Sequence, residues 1–79
     1  MTGYQALANA IIAQAAKDYK AALRIQKRHP DSRAAMAEIR RIERFFRSPW
    51  FNVLTDLNSE YLIAHLRKEA ASYDTQRVS

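Results

Sequence analysis

Arg33, Arg40, Arg44 and Arg47 follow one another at spacings of seven, four and three residues. At the α-helical period of about 3.6 residues per turn, those spacings place all four guanidinium groups along one side of a helix. A guanidinium is permanently charged, forks onto pairs of phosphate or carboxylate oxygens, and releases counterions when it binds nucleic acid. Such a row can follow a phosphate backbone or an acidic protein surface without reading base sequence. Lys20, Arg24 and Arg28, together with Lys17 and Lys27, form a second basic stripe upstream. This stripe extends the first if the two helices align their faces. Residues 17–47 hold 10 of the 13 Lys and Arg but 4 of the 8 Asp and Glu, net +6, which leaves the rest of the chain at −1.

Charged rows are also the ordinary solvated faces of helices. Neighbour spacing lets Glu43 pair with Arg40 or Arg47, and Glu38 with Arg41. Cations in the last turns of the first helix complement the negative end of its dipole. The solvated-face reading does not account for the one-sided net charge.

Other residue types point away from catalysis. His29 and His65 are too isolated to suggest a metal site. Asp56 and Glu60 stand four residues apart but serve more simply as caps. The chain has no Cys, which removes disulfides, thiolate metal sites and thiol nucleophiles, and a single Gly rules out a glycine-rich phosphate loop. A domain this small has little room for a buried cleft. A non-enzymatic protein with no metal and no cofactor is therefore expected. In the aromatic group Phe45, Phe46, Trp50 and Phe51, helical spacing assigns Phe46 and most of its neighbours to the core. Trp50 is left as the candidate aromatic anchor for a partner. Base stacking on Trp50 or Tyr61 lacks any supporting single-strand-binding motif.

These groups must be positioned by helices. With 79 residues, 48% of them hydrophobic and 27% charged, and a pI near 10.0, the composition is that of one folded basic domain rather than a disordered polyelectrolyte. One Gly and two Pro favour long helices. Thr2 and Gln5 fit a capping box for a helix starting near Gly3. Tyr4, Leu7, Ala8, Ile11, Ile12, Ala15, Ala16, Tyr19, Ala22 and Leu23 keep returning to one side of it. Pro30 disfavours helical geometry at His29 and ends this helix, and Ser32 caps the next. A turn this short implies an antiparallel hairpin. Ala35, Ile39, Ile42 and Phe46 form the apolar stripe of the second helix, widened by Phe45.

Ser48-Pro49 stops that helix and begins a short apolar one through Leu54. Asn58 caps a fourth, amphipathic helix running to about Ser72. There Leu62, Ile63, Leu66 and Ala70 face inward while Glu60, Arg67, Lys68 and Glu69 face solvent. The expected fold is all-α, a small bundle made of a helical hairpin, a short third helix and a fourth amphipathic helix. Residues 1–72 form one domain and residues 73–79 a frayed tail. No apolar run approaches the roughly 20 residues that span a bilayer, and the N-terminus lacks the basic flank of a secretory signal. No membrane partner and a cytoplasmic location are expected. The first helix is amphipathic and basic near its end, but its Ala- and Tyr-rich side is needed for packing.

The stretch from Ile42 to Ile63, with Phe45-Phe46, Ser48, Trp50-Phe51 and Leu54-Thr55-Asp56 at its centre and Leu66-Arg67 after it, resembles small helical proteins carried on prophages and mobile elements of Gram-positive gut bacteria. The resemblance covers the second half of the chain well and the first helix only in general character. Asn58-Ser59 stands where those proteins commonly have Asp-Gly, which keeps a capping side chain and loses the glycine. The resemblance implies no residue roles. It implies a phage or mobile-element accessory protein, a setting in which small binders and inhibitors of host machinery are common. The expected function is therefore docking of the basic face on an acidic protein surface or nucleic acid within a host or phage complex. Inhibition of a nucleic-acid-handling or defence system, in an anti-CRISPR-like manner, is one form this takes. Direct, sequence-nonspecific nucleic-acid binding is the alternative, and a structural module that forms a homo-oligomer is the third reading.

Overall fold

The computed structural model describes residues 3–78, with side chains described up to residue 72 except that of Tyr4. Four helices follow one another: α1 (Gly3–Arg28), α2 (Arg33–Phe46), α3 (Pro49–Leu54) and α4 (Ser59–Val78). There is no strand among the described residues. α1 packs against both α2 and α4, and α3 closes one end of the bundle. The expected Thr2 cap lies outside the described residues, as does the side chain of Tyr4. α4 is helical to Val78, past the expected end near Ser72. The side chains of the expected tail, residues 73–79, lie outside the described set.

Local chemistry accounts for the helix ends. The first chain reversal closes with Ser32 N donating to His29 O at 2.9 Å, and Ser32 Oγ accepts from Ala35 N at 3.2 Å as the cap of α2. Arg47 is the C-cap of α2, its backbone N donating to Glu43 O at 3.0 Å. Ser48 then serves two helices at once. Its hydroxyl donates to Phe45 O at 2.7 Å, at the end of α2, and accepts from Phe51 N at 3.3 Å, at the start of α3. Pro49 follows at the first helical position, where its missing N–H costs nothing. Asn58 Oδ1 caps α4 by accepting from Tyr61 N at 2.9 Å.

Ser48→Ala is expected to cost about 1 kcal/mol, the usual effect of losing an N-cap. A chain of this size would melt about 4–8 °C lower. Thermal denaturation followed by circular dichroism checks this, and an unchanged melting temperature would mean that α3 holds without its cap.

The core lies where α1, α2, α3 and α4 converge. Tyr19, Ala22, Ile39, Ile42, Phe46, Phe51, Ile63 and Leu66 are all buried in one cluster, with Ile12, Ala15, Ala16, Leu23, Phe45 and Leu62 packed against it. Its centre is aromatic. Phe46 meets Tyr19 edge-on at 5.8 Å and Phe51 at 5.6 Å, and Phe45 meets Phe51 edge-on at 5.9 Å, geometries that suit the ring quadrupoles. The α2 stripe is buried throughout, as its periodicity predicts. The α1 stripe is buried only in part, because Leu7 is 62% exposed and Ile11 only half-buried. The reason is length: α2 has 14 residues and α1 has 26, so α2 runs beside only part of α1.

Candidate functional site

α2 presents its buried stripe of Ala35, Ile39, Ile42 and Phe46 to the core, so the side opposite must face solvent. Arg33, Arg40 and Arg44 occupy that side and are exposed. At 1.5 Å per residue they stand about 10 Å and 6 Å apart along the axis. No acidic side chain pairs with any of the three among the described residues. Their neighbour Arg41 is different, because its Nε donates to Glu38 Oε1 at 2.5 Å, the pairing that the i, i+3 spacing predicts.

Arg47 belongs to the row by spacing but is paired within the chain. Its Nε donates to Glu60 Oε2 at 2.7 Å and its Nη2 to Glu60 Oε1 at 3.1 Å, a two-pronged fork that ties the end of α2 to the start of α4. Its Nη1 also reaches Glu43 Oε1 at 3.5 Å. The Arg47 charge is thus committed within the chain. Hydrogen bonding to Glu60 pushes the guanidinium pKa up further and holds Glu60 below the usual carboxylate range.

Lys20 and Arg24 of the α1 stripe do not lengthen the α2 row. Lys20 turns to α4, where its Nζ lies 3.7 Å from Glu69 Oε1. Arg24 lines a groove between α1 and α4 with Leu23, Lys27, Arg67, Ala70 and Ala71. Arg28 is exposed at the end of α1. Two separate cationic surfaces result, one on the back of α2 and one along the α1 and α4 seam. Trp50 is 56% exposed, and Phe46 and Phe51 are fully buried, as the aromatic spacing predicts. Tyr61, 71% exposed, stacks on His65 with ring centroids 6.2 Å apart, and His65 Nε2 lies 3.5 Å from Glu69.

One polar cluster was not legible in the sequence. Tyr19, on the apolar side of α1, donates its hydroxyl proton to Glu43 Oε2 at 2.6 Å. From α4, Arg67 Nη2 donates to the same Glu43 oxygen at 2.5 Å, and Arg67 Nε donates to Tyr19 Oη at 3.0 Å. Glu43 therefore joins three helices, with Arg47 and Glu60 attached to its outer side. Burial would raise the Glu43 pKa, but hydrogen bonds from Tyr19 and Arg67 and the charges of Arg67 and Arg47 outweigh it, and the carboxyl is held below its ordinary range. Burial, reinforced by the hydrogen bond to Glu43, pushes Tyr19 up to about 12. Hydrogen bonding to Glu43 leads the upward shift of Arg67. Glu60 and Arg67 are exposed, as their helical positions predict, yet both are engaged rather than merely solvated. The one available signal was Tyr19 itself, whose hydroxyl needs a partner wherever the ring is buried.

No group of three or more His, Cys, Asp or Glu able to hold a metal ion occurs among the described residues, and no described helix is long and apolar enough to cross a membrane. The α2 back face presents three guanidinium groups without acidic partners among the described residues, a chemistry suited to anions. Compared with protein-family models, curated proteins and solved structures, the chain finds no match.

Proposed function

We propose that this chain is a non-enzymatic docking protein whose α2 back face, through Arg33, Arg40 and Arg44, contacts an anionic surface of a macromolecular complex. The observation that carries this reading is selective pairing. Arg41, Arg47, Arg67 and Lys20 have acidic partners inside the fold, whereas the three arginines on the back of α2 have none among the described residues. Guanidinium forks held on a rigid helix suit carboxylates or phosphates and lose little freedom on binding. Together with the resemblance of residues 42–63 to mobile-element proteins, this favours an accessory protein acting on a host or phage machine in the cytoplasm. Occluding an acidic or nucleic-acid-binding surface there would inhibit the machine.

The test is capture. Tagged protein should retain a defined complex from host cells, and the combined Arg33→Glu, Arg40→Glu and Arg44→Glu variant should lose it while keeping its helical spectrum. Exposed, unpartnered side chains can be exchanged at little cost to stability. Undiminished capture by the variant would remove the row from the function.

Direct nucleic-acid binding is the second reading, favoured by the placement of three exposed arginines along one side of α2. Three phosphate contacts predict a log–log salt slope of about −2.7 on duplex DNA, or about a 40-fold loss of affinity between 50 and 200 mM salt. Failure to bind duplex DNA, single-stranded DNA or RNA even at low salt would end this reading and leave the first intact.

A further inference from the structure

We propose that α1 carries a docking face for a second copy of this chain, in an antiparallel two-fold arrangement centred at Ala16. Leu7, Ile11, Gln14, Asp18, Ala21 and Ile25 succeed one another at alternating steps of four and three residues, the repeat of a coiled-coil seam. The seam is open. Leu7 is 62% and Ile25 48% exposed, Gln14 and Ala21 are exposed, and Ile11 and Asp18 are half-buried. α1 is about 39 Å long and α2 about 21 Å, so the first turns of α1, with Leu7, extend past the helix that would cover them, whereas Ile25 is exposed beside the start of α2. Beside the middle of the seam lies an open, mainly apolar groove, where Ile11, Gln14 and Asp18 of α1 face Arg41 and Phe45 of α2.

The occupant is identified by the seam's self-complementarity. Laid antiparallel across a two-fold axis at Ala16, Leu7 meets the second copy's Ile25, Ile11 meets its Ala21, and Gln14 meets its Asp18. Each pairing is made twice, as an isologous interface requires. Large apolar side chains close the two ends, and the small Ala21 leaves room for Ile11. At the centre, Gln14 Nε2 donates to Asp18 Oδ1 of its own chain at 2.9 Å. The second amide hydrogen and the other carboxylate oxygen are left for the copy. A polar pair at such a position sets register and orientation.

Charge agrees with this choice. A chain of net +5 repels its own copies, yet from Leu7 to Ile25 this seam contains neither Lys nor Arg and its single charged member is the acid Asp18; the next step of the repeat is Arg28, outside the six paired positions. The cations Lys20, Arg24 and Lys27 lie off it, with Lys20 paired to Glu69 and Arg24 and Lys27 lining the groove against α4. The face is also distinct from the arginine row on α2, so the failure of either leaves the other standing.

The chain has no Cys, so engineered thiols report on register directly. Leu7→Cys and Ile25→Cys variants, mixed and oxidised, should form a heterodisulfide. Each alone should remain unlinked, because like positions stand about 27 Å apart in this arrangement and a disulfide needs Cα atoms within about 7 Å. Sedimentation of the unaltered chain should show a dimer. The double variant Leu7→Glu, Ile25→Glu should weaken it at least about tenfold with an unchanged helical spectrum, since both side chains are exposed in the single chain. A strict monomer at the highest soluble concentration, a dimer indifferent to both substitutions, or Leu7→Cys cross-linking to itself would each overturn the proposal.

Discussion

Phe46→Ala is expected to be the most damaging single substitution in this chain, costing about 3–5 kcal/mol. Phe46 is fully buried, and its ring touches Tyr19 from α1, Phe45 from its own helix and Phe51 from α3. Truncation removes the transfer free energy of the ring, leaves a cavity among three other rings, and forfeits two edge-to-face contacts worth roughly 0.5–1.5 kcal/mol each beyond area burial. A domain of this length has a total stability of about 4–12 kcal/mol, so the loss approaches the whole margin. Urea denaturation followed by circular dichroism should show a midpoint shifted far down or a chain already partly unfolded in buffer. Phe46→Leu, which refills most of the volume, should recover much of the loss. Trp50→Ala is the neighbouring control: a side chain as large, 56% exposed, and expected to cost far less. A Phe46→Ala midpoint close to that of Trp50→Ala would mean that the aromatic cluster is not the centre of the core.

The second large effect belongs to Glu43, whose neutralisation as Glu43→Gln is expected to cost about 1–3 kcal/mol near pH 7, because Arg67 and Tyr19 lose a charged acceptor in a partly buried site. The pH dependence follows from two opposite shifts. The folded-state pKa of Glu43 lies below its ordinary value of 4.5, so its contribution is complete above the unfolded-state pKa and is lost as pH falls through the depressed folded value. Tyr19 behaves in the opposite sense. Its pKa rises from 10.0 to about 12 in the folded chain, so its contribution is complete below pH 10 and drains away as pH climbs through that interval. Denaturation midpoints measured across pH should therefore show an acid limb that Glu43→Gln flattens and an alkaline limb that Tyr19→Phe flattens. An alkaline limb that survives in Tyr19→Phe would place the responsible group elsewhere. The outer Arg47 and Glu60 pair is exposed on both sides and should contribute little, and less as salt rises.

Much of this architecture could be read residue by residue. Ser32, Ser48 and Asn58 cap the helices that their spacing predicts, because capping is a contact across only three residues. The pairing of Glu38 with Arg41 was legible for the same reason. The Arg33, Arg40 and Arg44 side of α2 was legible as well, since the buried stripe on that helix is complete and fixes which side is left over. The first helix was harder. Its periodicity names ten stripe residues without saying which find a partner, and Leu7 turned out to face solvent. The fork of Arg47 onto Glu60 joins positions 13 apart, and nothing in their spacing distinguished Arg47 from the arginines before it.

By itself, the sequence determined the all-α class, the four helices with most of their ends, and the basic back of α2. These depend on periodicity and on hydrogen bonds between near neighbours. Only the tertiary structure decided which cations remain available and which apolar residues stay uncovered. Glu43 and Arg67 are 24 residues apart, and Tyr19 and Arg67 are 48 apart. Such pairs exist only once α1, α2 and α4 meet, and they withdraw Arg47 and Arg67 from the surface charge while leaving Arg33, Arg40 and Arg44 unpaired. The uncovered Leu7 is likewise a matter of relative length: an apolar side chain is buried only where another helix runs beside it, and α2 ends before it reaches the first turns of α1.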